Sequence, residues 1–135
     1  MEKAIEQEVR RRAQETCEYC QRPQAFFDIR FPIDHIVARQ HRGTTTLDNL
    51  ALCCPLCNRY KGPNLAGIDP LTGQLVPLFN PRAQRWVEHF RWNGAELIGL
   101  TPAGRSTVAV LNINRPDSVA AREWLIAEGV FPPSL

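Results

Sequence analysis

Lysine is almost missing from this chain: of 16 basic residues only Lys3 and Lys61 are lysines, and arginine carries the rest. Arginine is the better fork for phosphate oxygens, although a GC-rich genome would produce the same bias. A large charge excess is missing too. The formal net charge is +2, which many ordinary globular domains carry, so composition alone names no partner. No stretch approaches the roughly 18 unbroken apolar residues of a membrane-spanning helix. The N-terminus, Met-Glu-Lys-Ala-Ile-Glu-Gln-Glu, is charged from its second residue, and the expectation is a soluble, cytoplasmic protein with no membrane partner. Internal repeats, low-complexity tracts and clear linkers are also lacking. The 135 residues therefore read as one domain, 1–135, able to bury a core but helped by a metal staple.

Local patterns predict an α+β chain. Residues 2–16 read as a helix with Ile5, Val9 and Ala13 on one face. Its Arg10-Arg11-Arg12 run fits either phosphate contact or a solvated surface. Residues 17–24 form a tight knuckle, and the aromatic and β-branched stretch 25–37, broken at Pro32, suggests two short strands or one bent strand. A threonine-rich loop follows, then a return strand at 50–53. Pro55 opens a short helix that Gly62-Pro63 ends near Lys61. Beyond it, residues 69–73 form a turn and 74–79 a strand. Segments 86–92 and 96–101 flank Asn93-Gly94 as a hairpin. Residues 106–113 read as a further strand, and a last helix, capped by Asp117 or Ser118, runs to about Glu128 before Gly129.

Five cysteines are an awkward count for a disulfide framework. Four of them form Cys17-Glu18-Tyr19-Cys20 and Cys54-Pro55-Leu56-Cys57, each offering two thiolates on one tight turn. That is the bite a tetrahedral zinc needs from each half of a four-sulfur site. Buried cysteines can be plain core filler, but filler has no reason to recur at this spacing. Four sulfurs leave no open position, so such a zinc would be structural rather than catalytic. Cys53 is left over. The gap between the pairs exceeds the ~15–20 residues of a simple ribbon, so something folded should occupy it.

That gap holds Asp34-His35-Ile36 and Asn49-Leu50, and Cys57-Asn58-Arg59-Tyr60-Lys61 follows directly. In these residues, over about 17–61, the sequence resembles the HNH endonuclease family, in the subgroup whose ββα motif is clasped by two Cys-x-x-Cys knuckles. The resemblance implies a zinc-clasped ββα-metal core, with an N-terminal helix before it. After it comes a C-terminal extension, 62–135, of three or four antiparallel strands and one helix. It implies a metal-dependent endonuclease that hydrolyses phosphodiester bonds in DNA, with RNA left open. His35 would be the general base, a role its ordinary pKa suits. Asp34 and Asn58 would hold a catalytic Mg2+ or Mn2+, which takes few protein oxygens and keeps several waters. Asn49 would fix the loop and thereby the imidazole.

Lys61, three residues after Asn58, could reach the phosphate with Arg59 beside it, or could be a helix-terminal lysine favoured by the macrodipole. In a regular strand Asp34 and His35 point to opposite faces, so the strand must end or twist there to serve one phosphate. His41 reads as a solvated loop residue and His89 as a strand-surface residue. The tryptophans read as core or interface. One ββα motif would nick one strand at a time, with the oligomeric state, including a homodimer, left open. The main alternative is a non-catalytic zinc-binding nucleic-acid-binding module. It explains the cysteines and arginines but leaves Asp34, His35, Asn49 and Asn58 as coincidences.

Overall fold

A computed structural model of residues 1–135 is α+β: helices and three separate antiparallel strand pairs surround four clustered cysteines. Helix α1 (Lys3–Arg12) buries Val9 and half-buries Ile5, and Ala13 is buried just beyond its end. It stops earlier than the sequence suggests, because Gln14 and Glu15 adopt φ of 53° and 51° and turn the chain into the first knuckle. The arginine run meets neither reading made from sequence. Arg10 Nη2 donates to Phe31 O at 2.8 Å and Arg12 Nη2 to Leu50 O at 2.5 Å. Both guanidinium groups cap backbone carbonyls inside the fold, and Arg11 alone faces solvent, paired with Glu8.

The stretch after the knuckle holds one strand, not two. Residues Gln24–Phe26 form a 3₁₀ turn, and the Gln24 side chain braces the following loop, donating to Phe27 O and Ile29 O and accepting from Phe31 N–H. Strand β1 (Ile33–His35) pairs antiparallel with β2 (Leu50–Leu52), with Asp34 opposite Ala51 and His35 opposite Leu50. Helix α2 (Pro55–Lys61) follows, with Cys54 as N-cap accepting from Cys57 N–H and Pro55 in the first turn. Gly62, at φ 49°, ends it, a conformation that glycine adopts without a Cβ penalty. Strand, loop, strand and short helix thus stand where the sequence puts them.

The C-terminal half departs from expectation in four places. Strand β4 (Leu75–Pro77) pairs with β3 (Ala66–Ile68), a strand that its short Ala-Gly-Ile sequence does not announce. Trp86–His89 is a turn of helix, α3, which leads into β5 (Phe90–Asn93), so the strand at this hairpin begins at Phe90 rather than Trp86. Residues 106–113 are not a strand: Pro102–Val110 is helix α4, in which the Thr101 side chain accepts from Gly104 N–H at 3.0 Å and Pro102 fills the first turn. The N-terminal cap and the proline outweigh the β-branched run that follows. The Asn93-Gly94 turn does join β5 to β6 (Glu96–Gly99), with Gly94 at φ 60°. Helix α5 (Pro116–Ala127) has Arg115 at its N-cap position, with no side-chain cap bond, and Pro116 in its first turn, so neither Asp117 nor Ser118 caps it.

A single hydrophobic cluster runs through both halves, joining Val9, Tyr19, Phe31, Leu50 and Leu52 to Phe79, Phe90, Leu97 and Leu111. Polar ties cross the same boundary. Trp86 Nε1 donates to Tyr19 O at 2.9 Å and Trp92 Nε1 to Gln21 Oε1 at 2.8 Å. Arg82 pairs with Glu18. All three fasten the C-terminal half to the first cysteine knuckle. No helix is long and apolar enough to cross a membrane.

Candidate active site and metal centre

The knuckles meet at a four-cysteine cluster. The sulfurs of Cys17, Cys20, Cys54 and Cys57 all lie within 4.8 Å of one another and are buried. Cys20 Sγ and Cys54 Sγ are 3.7 Å apart. Four sulfurs at the ~2.3 Å zinc–thiolate distance on a tetrahedron would be ~3.8 Å apart, so the arrangement fits a zinc ion. Cys54 is held far below the usual thiol range by hydrogen bonds from Cys17, Cys20 and Cys57, and Cys57 N–H points at its sulfur from 3.4 Å. Cys54 is thus favoured as thiolate, the form that binds metal, whereas burial and the neighbouring sulfurs push Cys17, Cys20 and Cys57 up. Cys53 is buried but outside it, its thiol pushed up to about 11 chiefly by burial.

The first knuckle also clamps the hairpin. Glu18 N–H donates to Leu52 O at 2.9 Å, and Leu52 N–H donates to the Glu18 carboxylate at 2.9 Å. Strand β2 is therefore held on one edge by β1 and on the other by the first cysteine knuckle.

At that end, Asp34 and His35 do turn to opposite sides. Asp34 is 5% exposed. Its Oδ2 accepts from Tyr19 OH at 2.8 Å, and Lys61 Nζ lies 3.2 Å from Oδ1 and 3.1 Å from Oδ2. Burial raises the Asp34 pKa, with the Lys61 charge and the Tyr19 hydrogen bond opposing that shift. His35 lies at the surface side, its Nε2 2.9 Å from Thr45 Oγ1. Its pKa is lowered, first by partial burial, with Arg39 and Lys61 adding to the effect and Asp34 opposing it. The imidazole is thus neutral at neutral pH. The two side chains nevertheless border one cleft of about 330 Å³, together with Asn58, Arg39 and Gln40. The strand ends at His35, so the cleft wraps around its tip and reaches both faces.

Asn49 closes the loop between β1 and β2. Its Oδ1 accepts from Val37 N–H at 2.9 Å, and its Nδ2 donates to Val37 O at 3.0 Å and Thr44 O at 2.8 Å. With Ile36 N–H donating to Asn49 O, these bonds set the path of the chain directly after His35. Gly43 lies inside this knot, where any Cβ would collide with the Val37 carbonyl and press on Asn49 Nδ2.

Helix α2 sorts its polar residues by face. Arg59 is exposed and Asn58 half-buried at the cleft, whereas Lys61 is 1% exposed. Lys61 Nζ donates to Asp34 Oδ1, His35 O and Ile36 O at 3.1–3.2 Å. An ammonium has three hydrogens, and all are used inside the protein. The expected reach of Lys61 to a substrate phosphate is therefore corrected: buried acceptors at the end of β1 hold it inward. His41 is exposed in a 3₁₀ turn. His89 is not on a strand surface: it ends α3 with Nδ1 2.6 Å from Thr101 Oγ1. Three residues at or beside the cleft escaped the sequence reading: Arg39, Thr45 and Tyr19. Only the position of Tyr19, inside a Cys-x-x-Cys, could have marked one of them.

Asp34 and Asn58, whose side chains carry hard oxygen donors, border the same cleft, a set that suits a hydrated hard divalent ion. The family model described as HNH; HNH endonuclease matches residues 17–64, a segment that contains both knuckles, β1, β2 and α2. No curated protein and no solved structure matches the chain. The interlocked cysteine pairs, the Asp-His strand tip and the match to the HNH endonuclease family model coincide on one stretch of chain, residues 17–64.

Proposed function

We propose that the protein is a metal-dependent endonuclease that hydrolyses DNA phosphodiester bonds, nicking one strand at a time from a single site. The observation that carries this reading is the convergence of Asp34, His35 and Asn58, with Arg39, on one cleft at the tip of β1. A binding module gives no reason for an imidazole, a carboxylate and an amide to line one cleft at a strand end. His35 is the general base. If Nε2–H donates to Thr45 Oγ1, Nδ1 is left unprotonated to take the proton of the attacking water. Asn49 holds the loop so that the imidazole keeps its angle. Asp34 and Asn58 are the protein ligands of Mg2+ or Mn2+, which would stabilise charge on the scissile phosphate and the leaving oxygen. Arg39 and Arg59, both exposed or half-exposed with no acidic partner within ion-pair distance, bind backbone phosphates.

Cys17, Cys20, Cys54 and Cys57 hold one structural zinc, with Cys53 dispensable. The five free thiols suit a reducing compartment such as the cytoplasm. The shared hydrophobic cluster supports one folding unit, 1–135, in which 62–135 braces the 17–61 core. Incubating the zinc-loaded protein with supercoiled plasmid, across Mg2+ and Mn2+ titrations, tests the proposal. Open circles should appear before linear molecules. Folded protein that binds DNA but never nicks it would restore the binding-module reading. Linear product appearing first, with a dependence on protein concentration, would point to a two-site dimer.

A further inference from the structure

The cysteine knuckle does more than clamp the hairpin. Tyr19 stands between Cys17 and Cys20, is fully buried, and directs its hydroxyl onto Asp34 Oδ2 at 2.8 Å. Its backbone carbonyl accepts from Trp86 Nε1, and its ring packs edge-on against Phe79. The phenol therefore has one orientation, set by the metal loop behind it and the C-terminal half beside it. On the other side of the carboxylate, Lys61 is held by two backbone carbonyls and cannot swing away without leaving them unpaired. A carboxylate has about four lone-pair sites. Tyr19 and Lys61 occupy the inward ones, and Asp34 still borders the cleft with Asn58.

We infer that Tyr19 is a positioning residue that aims Asp34 at the catalytic divalent ion, so that the zinc knuckle sets the affinity of the second metal site through one hydrogen bond. This rests on the nuclease reading above and adds to it the residue that joins the two metal sites. Partners that orient a ligating carboxylate typically change metal affinity by about 10–100-fold when removed. Tyr19→Phe removes the hydroxyl and keeps the ring, so the packing against Phe79 and the knuckle backbone survive.

The test measures Mn2+ binding to the zinc-loaded full chain by titration calorimetry and by the electron-spin resonance of free Mn2+, for wild type, Tyr19→Phe and Asp34→Asn. Zinc content is measured in each. Tyr19→Phe should weaken the site about 10–100-fold with one zinc retained, and Asp34→Asn should weaken it more than Tyr19→Phe does. Nicking by Tyr19→Phe should then need more Mn2+ but approach the wild-type rate at saturation. If Asp34→Asn weakens Mn2+ binding while Tyr19→Phe binds it like wild type, the inference falls and the nuclease reading stands. If Asp34→Asn binds Mn2+ like wild type, both fall.

A measurement on the unsubstituted side chain covers a variant that misfolds. Tyr19 and Tyr60 are the two tyrosines of the chain, so 3-fluorotyrosine gives two fluorine signals, assigned with Tyr60→Phe. Substoichiometric Mn2+ should broaden the Tyr19 signal strongly. An unbroadened Tyr19 signal with Mn2+ bound would overturn the inference.

Discussion

His35 is the residue on which catalysis and mere binding disagree most sharply. Its removal leaves the sulfurs, the Asp34 and Asn58 oxygens and the arginines in place, so His35→Ala should fold and bind DNA normally while nicking falls by about 10²–10⁴. Extra Mg2+ should not restore it, whereas Asp34→Ala and Asn58→Ala should recover in part. The sign of its pKa shift sets the pH profile. Burial and the Arg39 charge favour the neutral imidazole, so the acid limb should lie below the ordinary 6.5. Arg39→Gln should move that limb upward, since removing a positive neighbour makes protonation easier. Rates from pH 5 to 8 for the two proteins decide this, and coincident limbs would remove Arg39 from the account. Lys61 makes the opposite kind of claim. Both it and Asp34 are buried, and Lys61→Ala should cost about 3–5 kcal/mol of stability, as breaking a buried pair does. A normal melt with weakened DNA binding would return Lys61 to the substrate. The gathering of Asp34, His35 and Asn58 at one cleft was legible because the motif places them at the end of β1 and on α2, which the knuckles bring together. The inward turn of Lys61 was not, because helical spacing does not reveal that two carbonyls wait beneath it.

Among the elements, those bounded by strong local signals were readable, namely α2 between Cys54-Pro55 and Gly62, and the Asn93-Gly94 hairpin. The errors came where local preference and context compete. Ser106 to Ile113 is rich in β-branched residues, yet Thr101 and Pro102 start a helix ahead of it. Thr101 also meets His89 Nδ1, so Thr101→Ala loses a cap and a cross-link together. We expect a loss of about 1–2 kcal/mol in denaturant unfolding with unchanged nicking. The loop between β1 and β2 should behave in the reverse way. Gly43→Ala cannot fit beside the Val37 carbonyl without opening the Asn49 knot, so it should disable cleavage while zinc stays bound. Wild-type nicking by Gly43→Ala would mean that the loop path does not aim His35.

For the whole molecule, the pairing of cysteines with an Asp-His-Asn pattern made the N-terminal half legible. The C-terminal half carries no chemical motif, and its packing on the knuckle emerges only from contacts far apart in sequence, such as Arg82 with Glu18. Removing zinc should therefore unfold more than the knuckles, since metal binding and folding are coupled. Chelation should lower the melting transition of the entire chain as one step, and two separated transitions would contradict a shared core. The indoles of Trp86 and Trp92 are fastened to Tyr19 O and Gln21, whereas Trp124 is 60% exposed. The protein thereby carries its own optical gauge. Two emitters sit on the metal loop in an apolar setting and a third gives a steady solvent-like background. Loss of zinc should shift the fluorescence toward the red with an amplitude that Trp86→Phe and Trp92→Phe diminish and Trp124→Phe enlarges, so the filling of the sulfur site can be followed by colour alone.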